Sequence, residues 1–358
     1  MSKTRGNVID PVEMVESYGA DALRFTLTAL AMQGRDVAMS EERVSGYRNF
    51  MNKLWNATRF CLQNLEGYDP TQVQEATLER ELADRWILSR LQRVITEVRQ
   101  ALHDSMFSDA ANTLYHFVWH ECCDWYIELT KRRLRGEGPP KLAAQHTLAT
   151  VLDQTLRLLH PIIPFITEEL WQHLPQASAS LVVAAYPQAE DTRIDAEAEA
   201  DMQLLMDVVN AIRTIRGEVR LAPSQRVATR IRATHAAHAS LLRQHTDYLT
   251  TLGTLSELLV DATVERPPVA ATAVVAGMDI YVPLGGVIDI DKEKQRLEKD
   301  LQKLSQELIR TRKKLANPSF LERAPEEIVA KEHAAEADLQ DKEQRLQIAL
   351  ERLQSLHA

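Results

Sequence analysis

No apolar stretch of this 358-residue chain approaches 18 residues, so a membrane-spanning helix is not expected. The first 30 residues also lack the basic start, apolar middle and small-residue cleavage site of a secretory signal. Cysteine is scarce. Cys61, Cys122 and Cys123 are three in the whole chain, a poor disulfide framework that suits a reducing, cytoplasmic setting. There is no Cys-x-x-Cys knuckle, no glycine-rich phosphate cradle and no Ser/His/Asp order. Positive charge is in deficit, with 42 Lys and Arg against 51 Asp and Glu, a net charge of −9. As a sum this argues against a nucleic-acid partner, although local clustering of cations matters more than the total. Hydrophobic residues make up 45% of the chain, enough for two or three domains with sizeable cores.

Helical periodicity dominates to about residue 175. A helix of Ala20 to Met32 is followed by a turn at Gln33-Gly34-Arg35-Asp36, and Ser40 caps a long helix to about Asn64. Further helices are predicted from about Leu78 to Leu102, from a cap at Ser108 or Asp109 to Arg135, and from Lys141 to Leu159. Pro161 and Pro164 then separate off a short helix ending near Leu174. Four long helices with loops between them predict an antiparallel bundle. After Pro187 the composition shifts. A helix at Asp195–Arg216, a strand at Arg226–Arg232, a helix at Ala236–Leu249 and strands near 255–261, 271–276 and 279–283 predict a small α+β domain.

From Asp291 the chain continues as two charged helices. Leu297, Leu301, Leu304, Leu308 and Leu315 keep heptad spacing, Asn317-Pro318 breaks the helix, and Leu339, Leu346, Leu350 and Leu353 resume a seam. An antiparallel coiled-coil hairpin is expected. Its first arm (292–314) holds nine Lys/Arg against four Asp/Glu, and its return arm (322–352) holds five against nine. Attraction between the arms and binding of RNA explain this asymmetry equally well. Arg310, Arg312, Lys313 and Lys314 sit near the tip, where the return arm is expected to offer few neutralising partners. The expected boundaries are 1–36, 37–190, 191–286 and 287–358, in a mainly α chain.

On the helix after Ser40, Tyr47, Met51, Leu54, Thr58, Cys61 and Leu65 form a core stripe. Asn49, Lys53, Asn56 and Phe60 share the opposite face, where a cation, two amides and a ring suit unpaired bases. Packing of Phe60 on another helix fits the same pattern. Lys131-Arg132-Arg133 and Arg135 end a helix, where the dipole favours cations. Arg85, Arg90, Arg93 and Arg99 are ambiguous between structure and phosphate binding. His116, His120 and Cys123 lie near one face but lack a fourth ligand, so no protein-bound metal is expected. Glu168-Glu169 read as acids complementing a helix N-terminus rather than as a catalytic pair.

At the start, Lys3 and Arg5 place two cations on a short loop containing Gly6. Asp10-Pro11-Val12-Glu13 then opens a helix with an N-cap, a first-turn proline and a capping box. Met1-Ser2-Lys3-Thr4 with Gly6-Asn7-Val8-Ile9-Asp10-Pro11 resembles the Lys-Met-Ser-Lys-Ser signature of class I aminoacyl-tRNA synthetases. The signature's first lysine is absent, and Thr4 stands for its last serine. The segment Tyr18 to Phe25 is similar to the stretch just after the signature in the valine, isoleucine and leucine enzymes. Arg48 to Asn56, Phe117 to Tyr126 and Pro161 to Trp171 resemble signatures of that family's anticodon-binding bundle. Ile212 to Arg220 resembles the segment before its small domain, and Leu315 to Val329 the terminal coiled coil of the valine type.

The resemblance covers nearly the whole chain. It implies the C-terminal portion of a valine-type enzyme, binding valine tRNA and serving ATP-dependent aminoacylation. ATP with Mg2+ is implied for the complete enzyme, which is expected to be monomeric. Lys3 would stabilise the triphosphate as the adenylate forms, assisted by Ser2 and the loop at Met1 and Thr4. Asn49, Lys53, Asn56 and Phe60 would face the anticodon, and the basic arm would hold the outer corner of the RNA. The family's Rossmann core and editing domain precede the lysine loop, so a catalytic and editing half is an expected partner. The alternatives are an isoleucine or leucine enzyme portion, or a non-catalytic RNA-binding or scaffold protein.

Overall fold

The computed structural model describes residues 10–31, 39–175, 179–285, 290–316 and 326–355. Met1, Ser2, Lys3 and Thr4, the turn at Gln33 to Asp36 and the Asn317-Pro318 break lie outside those residues. The chain forms two compact units that divide after Gln203, and the architecture is mainly α with one small mixed sheet.

The first unit opens with helices α1 (Pro11–Tyr18) and α2 (Ala20–Leu30). Asp10 caps α1 by accepting from the Val12 N–H at 2.8 Å, ahead of Pro11. That bond goes to the second helical residue rather than to Glu13 at the third, so Asp10 is a simple N-cap and not part of the expected capping box. Gly19 joins the two helices at φ +90°, a conformation that strains any residue with a Cβ. Ser40 caps α3 (Glu41–Asn64), whose buried stripe contains Met51, Leu54, Thr58 and Cys61 as its spacing predicts. Helix α4 (Leu82–His103) starts four residues later than expected, behind a capping box between Glu81 and Asp84.

The third long helix differs from expectation at both its start and its middle. It begins at Phe107 with Met106 as N-cap, because the Met106 carbonyl already accepts from Asp109 and Ala110. It then runs as α5 (Phe107–His116), a π-helical stretch Phe117–Tyr126 and α6 (Ile127–Leu134). Such wide turns re-aim side chains relative to a regular helix and are frequent at functional sites. Helices α7 (Pro139–Leu159) and α8 (Pro164–Trp171) complete the bundle. Phe25, Phe50, Trp86, Phe117, Tyr126 and Trp171 fill its core.

A buried polar cluster lies inside that core. Arg133 meets Asp84 with both terminal guanidinium nitrogens, at 2.5 and 2.8 Å, and the Tyr126 hydroxyl donates to the same carboxylate at 2.8 Å. Burial works against the Arg133 charge, but the Asp84 bonds and charge outweigh it and push the pKa up. Arg133 stands in the last turn of α6 beside Lys131 and Arg132, as expected of a helix-end cation, and it is also the cationic half of a buried ion pair between α4 and α6. Glu168 does depart from expectation, since it lies, like Glu169, beyond the first turn of α8. Its carboxylate accepts from the Leu181 N–H at 3.0 Å and from the Ser180 hydroxyl at 2.9 Å, pinning a short turn at Leu181–Val183.

Helix α9 (Ala196–Glu218) leads into the second unit. There Arg216 is buried, and its guanidinium donates to the carbonyls of Ala222, Pro223, Gln225 and Thr254, which fold the following turn around it. Strands β1 (Val227–Arg232), β2 (Leu255–Asp261), β3 (Ala270–Val275) and β4 (Met278–Pro283) form a sheet in the order β2-β1-β4-β3. The β1–β2 pair is parallel and needs a crossover; β3 and β4 form a hairpin turning at Ala276-Gly277, both at positive φ. The crossover is two helices rather than the one expected, α10 (Ala236–Gln244) and α11 (Thr246–Gly253), broken at His245.

The hairpin consists of α12 (Ile290–Leu315) and α13 (Glu326–Ser355). Leu308 and Leu315 are buried, while Leu301, Leu304, Leu339, Leu346 and Leu350 are half-buried, in keeping with the predicted seam. Arg312 meets Glu336 at 2.9 Å, Lys314 pairs with Glu332, and Ser305 bonds Glu343. Residue numbers of the partners fall along one arm as they rise along the other, so the arms are antiparallel.

Candidate nucleic-acid interface

The outward side of α3 carries two adjacent stripes at 4-3-4 spacing. One is the predicted set, Asn49, Lys53, Asn56 and Phe60. The other, Arg48, Asn52, Trp55 and Arg59, was not singled out from the sequence. All four members of the second stripe are exposed, and the Trp55 indole is 42% exposed, an unusual place for so large an apolar surface. The same spacing could have revealed it: two cations, an amide and an indole on one side of a helix suit phosphates and base faces.

Within the predicted stripe, Asn49 and Asn56 are exposed, whereas Lys53 and Phe60 are half-buried. The Asn56 amide donates to the Asn52 carbonyl one turn back, at 2.8 Å. Lys53 does not reach into solvent alone. Its ammonium is 2.6 Å from Asp124 and 3.9 Å from the centre of the Trp119 ring. The Phe60 ring faces Lys131, whose ammonium is 5.6 Å from the ring centre and pairs with Glu128 at 2.6 Å. The π-helical stretch therefore brings Trp119, Asp124 and the start of α6 against the predicted stripe.

An aromatic ladder backs this region. Tyr47 and Phe50 each touch both Phe25 and Tyr115 at centroid distances of 4.9 to 6.1 Å, and Trp119 stacks on Tyr115 at 5.5 Å. His116 and His120 lie 4.7 Å apart, and His120 approaches Asp124 at 3.4 Å. All three cysteines are free. Burial pushes the Cys61 and Cys122 thiols up and the Cys123 thiol to about 12, so they stay protonated near neutrality. Among the described residues no group of three His, Cys, Asp or Glu side chains is placed to hold a metal ion.

The ambiguous arginines of α4 are engaged inside the bundle. Arg85 pairs with Asp195 at 2.8 Å, Arg90 with Glu121 at 2.9 Å and Arg93 with Glu199 at 2.7 Å, while Arg99 donates to the Pro187 carbonyl at 3.0 Å. On the hairpin, Arg312 and Lys314 meet glutamates of the return arm, contrary to the expectation that this arm offers few partners near the tip. Arg310 and Lys313 are exposed.

Helices α1 and α2 are tied to the rest of their unit by side chains. Arg48 donates to the Ser17 carbonyl at 2.9 Å and Tyr18 to Glu41 at 2.7 Å. Arg24 donates to the carbonyls of Ile162 and Pro161 at 2.8 and 3.0 Å. Asp21 accepts from the Ile166 N–H at 2.6 Å, at the start of α8, and burial pushes its carboxyl pKa up in spite of that bond.

Three protein families match parts of this chain. Residues 84–231 match "Anticodon-binding domain of tRNA ligase", residues 289–354 match "Valyl tRNA synthetase tRNA binding arm", and residues 1–40 match "tRNA synthetases class I (I, L, M and V)". The chain is 47% identical to a valine–tRNA ligase of Geobacter sulfurreducens, across 99% of its own length and 40% of that protein. It is 44% identical to one of Syntrophotalea carbinolica over the same shares, and 46% identical to one of Thermotoga maritima over 92% of its length and 37% of that protein. The chain thus spans about two-fifths of the length of the curated relatives it matches, within their C-terminal part.

Proposed function

The chain belongs to the valyl-tRNA synthetase family, matching the C-terminal part of its members, and on that premise we propose that it holds valine tRNA for ATP-dependent attachment of valine. In this reading the described bundle grips the anticodon end through α3, and the basic arm of the hairpin lies along the RNA backbone. The observation that carries it is the outward side of α3, where Trp55, Arg59, the amides and Arg48, which also donates to the Ser17 carbonyl, share an exposed surface. Such a side offers stacking surface, phosphate partners and base-edge donors together.

The remaining roles come from the family. Lys3, with Ser2 and the loop backbone at Met1 and Thr4, would stabilise the ATP triphosphate as the adenylate forms, and Mg2+ would arrive with that triphosphate. The division at 1–36, 37–190, 191–286 and 287–358 would separate the loop stem, the anticodon bundle, the linking domain and the RNA-binding arm. The chain would act with the amino-acid-activating and editing portions of a whole enzyme, as a monomer in the cytoplasm. Among the described residues no helix is long and apolar enough to cross a membrane.

Filter binding of labelled valine tRNA at two salt concentrations tests the reading, with isoleucine tRNA and an anticodon-swapped valine tRNA as competitors. Preference for valine tRNA, lost on the swap, is expected. Equal binding of all three, abolished by salt, would leave a basic surface without anticodon recognition and sink the proposal.

A further inference from the structure

Two neighbours lie against the Trp119 indole. Tyr115 stacks on it at 5.5 Å with the rings 18° from parallel, and the Lys53 ammonium stands 3.9 Å over the indole. Within the aromatic ladder Trp119 is the end member, half-buried at the surface of the bundle. Lys53 is thus a flexible neighbour over the ring, and the Phe50 ring lies further off, at 6.4 Å between ring centres. The Lys53 side chain is held by one carboxylate, Asp124, at 2.6 Å, and Asp124 is itself approached by His120 at 3.4 Å. The Lys53 and Asp124 side chains remain 25% and 41% exposed, so water and solutes reach the pair.

A pair this exposed is worth little, and an ammonium over an indole adds a modest attraction. An RNA phosphate competes with Asp124 for the same ammonium. Once Lys53 turns outward to it, the indole surface it covered is open to an unpaired base, with Tyr115 already stacked on the same ring. Resting on the reading of α3 as an RNA-binding surface, we propose that Lys53 and Asp124 form a latch over Trp119. Asp124 closes it in the free protein, and RNA opens it by taking Lys53, which exposes Trp119 as a stacking platform.

Asp124 then opposes binding although it lies within the interface, and its removal is a gain of function. Asp124→Asn in the full chain is expected to bind a valine tRNA transcript about two- to fivefold more tightly, the range one exposed charge pair spans. Trp119→Leu is expected to weaken binding about fivefold or more. The gain from Asp124→Asn is expected to shrink in that background. Glu169→Gln removes an exposed carboxylate on α8 and controls for the change in net charge. Thermal melts confirm that each variant is folded, and Trp119→Phe replaces Trp119→Leu if the leucine variant is not.

An affinity unchanged or lowered by Asp124→Asn, or an equal gain from Glu169→Gln, would overturn the latch while valine tRNA was still preferred over isoleucine tRNA. Loss of that preference in the wild-type chain itself would instead mean that the RNA-binding reading had failed, and the latch with it.

Discussion

The helical bundle and the hairpin use charge in opposite ways. In the bundle, Arg133 and Asp84 are buried at 8% and 0% exposure and share a bidentate contact with Tyr126 as a third partner. In the hairpin, Arg312 and Glu336 face each other across the seam with the arginine side chain 53% exposed. Removing one partner of a buried pair strands an uncompensated charge, whereas water solvates whatever an exposed pair loses. The bundle's internal cations are thus part of its fold. The hairpin's can exchange a carboxylate for a phosphate at little cost, as can Lys53 on the bundle surface.

The largest expected effect comes from breaking the buried pair. Asp84→Ala should destabilise the bundle by about 3–5 kcal/mol, because Arg133 remains buried without its carboxylate. A denaturant midpoint close to wild type would mean that the pair is no more structural than those of the hairpin. Phe60→Ala should come next, weakening tRNA binding by about 1–3 kcal/mol if the ring stacks on a base. A lowered melting temperature with unchanged affinity would assign Phe60 to packing instead.

A smaller effect should appear with pH. His146 bonds the Tyr68 hydroxyl at 2.8 Å, and burial lowers its pKa, with Arg80 and Arg193 acting in the same direction and Glu75 opposing. The folded state therefore takes up this proton less readily than the unfolded chain. The His146 contribution is complete above the unfolded pKa of about 6.5 and is lost as pH falls toward and below the folded value. His146→Asn should flatten part of the decline in melting temperature between neutral and mildly acid pH; an unchanged decline would show that other groups cause it.

The smallest stability change is expected in the hairpin. Glu336→Gln should cost no more than about 1 kcal/mol, while releasing Arg312 should steepen the salt dependence of tRNA binding by about one unit. Should stability fall by much more, the exposed pairs of the hairpin would resemble the buried one in the bundle. Arg310→Ala and Lys313→Ala should each make that slope shallower by a similar amount.

Much of the fold was readable from spacing. The core stripe of α3, the Asp10 and Ser40 caps, the four strands and the leucine seam rest on local periodicity and capping chemistry, and the structure reproduces them. The places where spacing was insufficient share one cause. Arg133 ends a helix as expected but has a second role in a buried pair, and Glu168 looked like a dipole partner because it lies near a helix terminus in the sequence. Their real partners, Asp84 and the 180–181 turn, are 49 and up to 13 residues away. The Trp55 stripe was legible at the same spacing as the one beside it, but an indole in a helix is ordinarily assigned to the core.

By itself the sequence determined the helical architecture, the strand order along the chain, the seam of the hairpin and the residues that carry the family resemblance. Those properties depend on neighbours within one or two turns, and side-chain period and backbone capping encode them directly. Tertiary structure alone decided which cations are engaged and which face outward. It set Arg85, Arg90, Arg93 and Arg133 against carboxylates from distant segments, and it placed Lys53 between Asp124 and Trp119. A charge's availability depends on what folding brings within a few ångströms of it, and sequence spacing does not contain that distance.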